Sequence, residues 1–119
     1  MATIARAHPD ALLPSPNPTN FILRHQLAEF ALRQRLPAIG ARRLDVVAAV
    51  LMAYGPKIED IFRNAAVYVA KTLNGARPAE LPIEQPTTFE FVVNTRTAST
   101  PGITLPQSLL LRADARKQT

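Results

Sequence analysis

The sequence contains no cysteine and no tryptophan, and it has only two histidines among its 119 residues. Without cysteine the chain can form no disulfide, no thiolate zinc site and no cysteine nucleophile. His8 lies in a proline-rich stretch and His25 lies between Arg24 and Gln26, with no second metal ligand at a suitable spacing from either. We therefore expect no metal site and no cofactor.

Long apolar runs are also missing. The longest strongly apolar stretch, residues 46–53, is far shorter than the roughly 20 residues that span a bilayer. No apolar segment of about 7–15 residues follows Arg6, as a secretory signal would require. The sequence as it stands thus predicts no export signal, and it predicts a cytoplasmic chain if it is expressed in this form.

Acidic residues are fewer than basic ones, 9 against 14, and the formal net charge is +5. Such a charge is compatible with nucleic-acid binding. The basic residues are scattered from Arg6 to Lys117, however, and they do not alternate with aromatic residues as in single-strand binders. A solvated basic surface is the favoured interpretation, with no nucleic-acid partner, and a basic nucleic-acid-binding module is the weaker alternative.

The first half of the chain predicts a lead-in followed by alternating helices and strands. Four prolines within residues 8–18 exclude a helix there, so residues 1–19 are expected to be an extended lead-in before a domain of residues 20–119. Asn20 is a candidate cap for a helix that runs through Arg35. A buried strand at 36–39, a short helix at 42–50 and a strand at 50–54 are expected next.

The second half contains the strongest helical pattern. Apolar residues recur at helical spacing from Ile58 to Leu73, and Asn74-Gly75 can end that helix. Prolines make residues 76–88 an extended connector. Residues 89–93 then predict a strand with Phe89, Phe91 and Val93 on one face, and residues 108–113 a final helix. This alternation predicts an α/β fold of three layers with a mostly parallel sheet.

Motifs of catalysis are not found. Glu59 and Asp60 are adjacent, but sequence neighbours on a helix do not face each other, and acidic residues in a first turn stabilise the helix end. The serines lack a Gly-x-Ser-x-Gly setting, and the four glycines are isolated rather than in a phosphate-binding loop. We assign no catalytic residue and expect a protein that is not an enzyme.

Several segments resemble one family. Residues 75–94 read GARPAELPIEQPTTFEFVVN, residues 51–56 read LMAYGP, and residues 105–114 read LPQSLLLRAD. These segments, together with residues 63–69, are similar to the ABC transporter substrate-binding proteins of the tryptophan/tyrosine-type group. The resemblance runs from about Asn20 to Asp114 and matches the carboxy-terminal part of that family. The family's first lobe and export signal have no counterpart here.

The resemblance implies a partial periplasmic-binding-protein-like (Rossmann-like) fold, in which two α/β lobes joined by hinge strands close on a ligand. It implies non-covalent capture of a small organic solute such as an amino acid, a membrane permease of an ABC importer as partner, and a periplasmic location. Some positions depart from the family pattern. Residues 39–51 differ from the family sequence at most of its polar and glycine positions. Pro101 should interrupt the helix that the family usually has there, because an interior proline destabilises a helix by about 3 kcal/mol or more.

Tyr54 is the best candidate for ligand binding, with Gly55 and Ala53 beside it. A tyrosine at the end of an apolar strand, before a Gly-Pro turn, can offer a ring and a hydroxyl to an amino-acid-like solute. The competing interpretation is a half-buried core tyrosine. Because a second lobe is missing, we expect exposed apolar faces and self-association, for instance as a homodimer that replaces the lost partner surface. The alternative function is an interaction or structural remnant without transport activity.

Overall fold

The computed structural model describes residues 1–99 and 102–117. Residues group into two units, of which unit 1 combines Met1–Gly55 with the chain from Glu90 onwards and unit 2 is Pro56–Phe89. The helices are α1 Ala2–Arg6, α2 Pro18–Ile22, α3 Arg24–Arg33, α4 Arg43–Val47, α5 Ile58–Leu73, α6 Thr95–Ser99 and α7 Gln107–Arg112. The strands are β1 Ile39–Gly40, β2 Met52–Pro56, β3 Phe89–Asn94 and β4 Ala115–Lys117.

The four strands form one sheet in the order β1-β2-β3-β4. β1 is parallel to β2, and β3 is parallel to β4. The α/β class and the mostly parallel sheet predicted from the sequence are thus confirmed. None of the helices in the described part of the chain is long and apolar enough to cross a membrane.

The helix predicted from Asn20 to Arg35 is two helices that meet at Leu23. Asn17, not Asn20, caps the first of them, because its side-chain oxygen accepts the Asn20 amide at 2.8 Å. Pro18 then occupies the first helical position, where a missing amide hydrogen costs nothing. The exclusion of a helix over 8–18 was therefore wrong at its last residue, and α1 was not predicted at all.

The first predicted strand lies further along the chain than residues 36–39. Its ladder consists of Ile39 and Gly40, whereas Ala38 forms an isolated parallel bridge with Leu12. The Leu12 amide donates to Pro37 at 2.9 Å, and the Ile39 amide donates to Leu12 at 3.0 Å. Part of the lead-in thus hydrogen-bonds beside β1.

Small aliphatic side chains build the core of unit 1, as the shortage of aromatics requires. One cluster contains Ala28, Ala31, Ala38, Ala48 and Val50, with Leu12 and Leu36 against it. A second cluster joins α4 to the sheet through Val46, Ala53 and Val92, with Ala115 of β4 packed against it. Unit 1 therefore has a buried core between helices and sheet.

β3 is buried unevenly along its length. Val92, Val93 and Asn94 are buried in succession, while Phe89 at the start of the strand is exposed, so the face predicted to contain Phe89, Phe91 and Val93 is buried only at Val93. Neighbouring strands lie on both sides of β3, and a strand inside a sheet can be covered on both faces. The short strand β4 was not predicted, and Pro101 lies outside the described residues.

Unit 2 consists of α5, a short 3-10 helix at Pro78–Glu80 and an extended connector. The sequence predicted the bounds of α5 closely. No residue of α5 is buried, however, although its apolar positions repeat at helical spacing. The Tyr68 hydroxyl donates to the Pro82 carbonyl, which ties the connector to the helix. Desolvation and the nearby Glu84 carboxylate raise the pKa of Tyr68.

Candidate ligand-binding site

The pairing of β1 with β2 ends at one edge of the sheet in unit 1, because β1 stops at Gly40 while β2 continues to Pro56. Ile39 pairs with Met52 and Gly40 pairs with Ala53, both in parallel register. Beyond this pairing Ala41 leaves the sheet, while Tyr54 and Gly55 continue β2 past the carboxyl end of β1. Ligands of open α/β sheets bind outside the carboxyl ends of the strands. This carboxyl edge is the candidate site.

Two glycines let the strand ends pack closely. A Cβ added at Gly55 would lie 2.0 Å from the backbone oxygen of Ala41. One added at Gly40 would lie 2.5 Å from Cβ of Asp45. Neither position has room for a side chain, so both glycines are required for the observed backbone of the carboxyl edge.

Asp45 fixes the loop that leaves β1. Its Oδ2 atom accepts the amide of Ala41 at 3.0 Å and the amide of Arg42 at 2.9 Å. Asp45 lies in the first turn of α4, where a carboxylate is also favoured by the helix dipole. The position of Arg42 is thus set by hydrogen bonds of its own backbone.

The three sequence-predicted residues have different environments. Tyr54 is 58% exposed at the carboxyl edge. Gly55 is buried against Ala41, and Ala53 is 2% exposed in the cluster with Val46 and Val92. Tyr54 presents a side chain at the surface, while Ala53 and Gly55 fix the backbone on either side of it. That these residues contact a ligand stays a prediction.

Phe21 and two arginines form a group at the same edge that the sequence analysis did not identify. The guanidinium carbons of Arg24 and Arg42 lie 4.6 Å and 4.7 Å from the centroid of the Phe21 ring. Arg24 also donates through Nη1 to the Phe21 carbonyl at 2.8 Å. In the sequence Arg42 closely follows a strand end, which is a local signal for a binding residue. Its pairing with Phe21 depends on the fold.

The recess beside this group is small, about 30 Å³, and its lining includes Phe21, Arg24, Gly40, Arg42 and Asp45. A larger concavity of about 640 Å³ lies within unit 2, between α5 and the connector. We prefer the carboxyl edge as the solute site. It has a buried core behind it, whereas the larger concavity lies between one helix and an extended segment without buried residues.

Other candidate groups do not assemble. Among residues 1–99 and 102–117, no three His, Cys, Asp or Glu side chains lie close enough to hold a metal ion. Asp60 forms an ion pair with Arg63 on the surface of α5, which fits the structural role expected of it. The carboxyl edge therefore stays the candidate site.

Comparison with known proteins agrees with this architecture. The family model described as ABC transporter substrate binding protein matches residues 19–117. A conserved domain protein from Vibrio cholerae has a TM-score of 0.91 and 26% identity, over 97% of this chain and 38% of that chain. No match is found among curated proteins.

Two further solved structures share the fold. An ABC domain in complex with L-Trp from Streptococcus pneumonia has a TM-score of 0.87 and 22% identity, over 96% of this chain and 39% of that chain. A ligand-free, open substrate-binding protein with adhesive properties from Clostridium difficile has a TM-score of 0.58 and 18% identity, over 91% of this chain and 36% of that chain. The chain thus spans less than two fifths of each of these proteins. Because the family model covers most of its length, the chain belongs to the ABC transporter substrate-binding protein family.

Proposed function

We propose that this chain forms one wall of the solute-binding site of an ABC importer's substrate-binding protein, and that it acts without catalysis. The observation that carries the proposal is the carboxyl end of β1, where Tyr54 of β2 is exposed and the loop that follows β1 is held by Asp45. A rigid edge of this kind positions polar and aromatic groups before a ligand arrives, which reduces the entropy lost on binding.

An amino acid or a similar small organic solute is the proposed ligand. A relative of the same fold was solved with L-Trp, and Tyr54 can offer both a ring face and a hydroxyl to such a molecule. Ala53 and Gly55 would act through the backbone, by holding Tyr54 at the carboxyl edge.

In this proposal the opposite wall is supplied by the further residues that the longer relatives have. Lobe closure then follows from the preference of the solute for the closed state, since a ligand shifts an equilibrium only by its differential affinity. The loaded protein would deliver the solute to a membrane permease, outside the cytoplasmic membrane.

Calorimetric titration with L-tryptophan, L-tyrosine and L-leucine tests the proposal. We expect saturable binding of at least one of them, and about tenfold weaker binding by Tyr54→Ala because an aromatic contact is lost. Tyr68→Ala removes a tyrosine from unit 2 and is the matched control, with unchanged affinity. The absence of saturable binding, or equal affinity in Tyr54→Ala, would contradict the proposal.

We also propose that two copies pair through α5, as a homodimer. Phe62, Ala66, Val69 and Leu73 follow one another at spacings of four, three and four residues, the seam of a coiled coil. Phe62 is 72% exposed and Leu73 is 82% exposed. An antiparallel pair related by a two-fold axis would place Phe62 against Leu73 of the partner subunit and Ala66 against its Val69. The seam is therefore complementary to itself, as a symmetric dimer requires.

A further inference from the structure

The group of Phe21, Arg24 and Arg42 places two permanent positive charges against one aromatic ring. Both guanidinium carbons lie within 4.7 Å of the ring centroid, and all three residues are half-buried. An arginine beside an aromatic face is attracted by the ring quadrupole, and this contact fixes the plane of its guanidinium. Two positive charges therefore share one aromatic ring.

No acidic side chain neutralises these charges in the described part of the chain. The ion pairs there engage Arg33, Arg43, Arg63 and Arg77, and neither Arg24 nor Arg42 has a carboxylate oxygen within 4.0 Å. The nearby Asp45 is directed elsewhere, because its Oδ2 accepts two backbone amides. The cation pair therefore lacks a counter-charge from the protein.

The two arginines differ in how they are held. Arg24 donates to the Phe21 carbonyl at 2.8 Å, so that it is tied to the residue whose ring it contacts. Arg42 is fixed at its backbone by Asp45 and at its guanidinium by the Phe21 ring. A guanidinium held in this way is organised for a carboxylate, which it binds through two parallel hydrogen bonds.

We propose that this group is an anion site for the carboxylate of the solute, with Arg42 as the direct contact and Arg24 as a positioning residue that holds Phe21. The inference rests on the proposed function and adds the residues that bind the carboxylate of the solute. Arg24 also contributes positive potential, while the Phe21 ring shields one side of the guanidinium groups from water.

The probes are 3-phenylpropionate and 3-phenylpropionamide, which have the same ring and chain length but differ in charge. Binding to the full chain is followed by NMR, through the amides of the carboxyl edge and the arginine Nε–H signals. We expect the carboxylate to bind at least tenfold more tightly than the amide, and less tightly as salt is added, because exposed charges are screened.

Variants separate the site from general charge effects. Arg42→Gln should abolish the preference for the carboxylate, whereas Arg42→Lys should retain part of it. Arg43→Gln is the matched control. It removes the same charge from the next residue along the chain, whose guanidinium is paired with Glu90. Arg24→Gln should weaken carboxylate binding, and Arg24→Lys, which keeps the charge but loses the planar guanidinium on the Phe21 ring, should restore only part of it.

Each outcome decides the inference. Equal binding of acid and amide, or a preference that survives Arg42→Gln, would overturn it and leave the proposed function standing. Failure of both probes would also overturn it, and the amino-acid titration above would then decide separately whether the chain binds any solute. Binding of duplex DNA that competes with 3-phenylpropionate and is lost in Arg42→Gln would assign the site to phosphate instead, and would overturn the solute assignment.

Discussion

Gly55 lies in β2 beside Ala41, the residue that follows β1, and its missing side chain lets the two backbones approach. A Cβ there would meet the Ala41 backbone oxygen at 2.0 Å, and backbone cannot move aside as a flexible side chain can. We expect Gly55→Ala to lower the free energy of unfolding by about 1–3 kcal/mol, the usual cost of overpacking. Urea unfolding followed by circular dichroism measures this change.

Gly75→Ala is the control for an added methyl group. No atom lies within 4 Å of its Cβ, so its cost arises only from the positive φ of 97°. A Gly55→Ala variant as stable as the wild type would show that Gly55 and the Ala41 backbone are not in close contact. It would also remove the basis for the carboxyl edge as a rigid site.

Single residues also show what the sequence could predict about the site. Tyr54 was identified because an apolar strand before Gly-Pro is a local pattern, although the turn predicted at Gly55-Pro56 was wrong, since β2 continues through both residues. Arg24 and Arg42 were not, because they are 18 positions apart in the sequence and meet only through Phe21. Long-range contacts of this kind leave no spacing signal in one sequence.

At the scale of elements, a buried polar joint connects β3 to the end of α4 and the start of α6. Asn94 is 4% exposed, donates through its side chain to the Val46 carbonyl at 3.3 Å, and accepts the Thr97 amide at 3.0 Å. We expect Asn94→Ala to destabilise the chain by about 1–3 kcal/mol, because it leaves buried backbone groups unpaired. Chemical denaturation is again the measurement.

Asn64→Ala makes the same truncation at an exposed position of α5 and should change stability by less than about 0.5 kcal/mol. Similar losses in the two variants would mean that the Asn94 hydrogen bonds do not stabilise the joint.

The elements that the sequence predicted well are those with repeated local signals. α5 has sixteen residues with a strong helical period, and β3 is rich in Phe and Val. β4 was missed because Ala-Arg-Lys contains no β-branched or aromatic residue, so its pairing with β3 depends on tertiary structure. The exposure of α5 was also not predictable. An apolar pattern shows which face of a helix can be covered, but it does not show what covers that face.

At the scale of the whole molecule, unit 2 contains no buried residue and exposes the apolar seam of α5. Dimerisation through that seam predicts a mass that rises with concentration in sedimentation equilibrium. Phe62→Ser should shift the chain towards the monomer, because a large apolar contact is removed at each end of a two-fold pair.

Val67→Ser is the matched control, since Val67 is 46% exposed and lies outside the seam. A wild-type chain that sediments as a monomer at every concentration would contradict the dimer. So would self-association that Phe62→Ser and Val67→Ser weaken equally.

We propose that this family member binds its solute at the carboxyl edge, where Tyr54 of β2 lies beside the loop that follows β1. A titration of the ¹⁵N-labelled chain with L-tryptophan, followed through backbone amide shifts, tests it most directly. We expect saturable shifts concentrated at Phe21, Ala41, Arg42, Tyr54 and Gly55, and their loss in Tyr54→Ala. Shifts that do not saturate, or that concentrate on α5 instead, would contradict it.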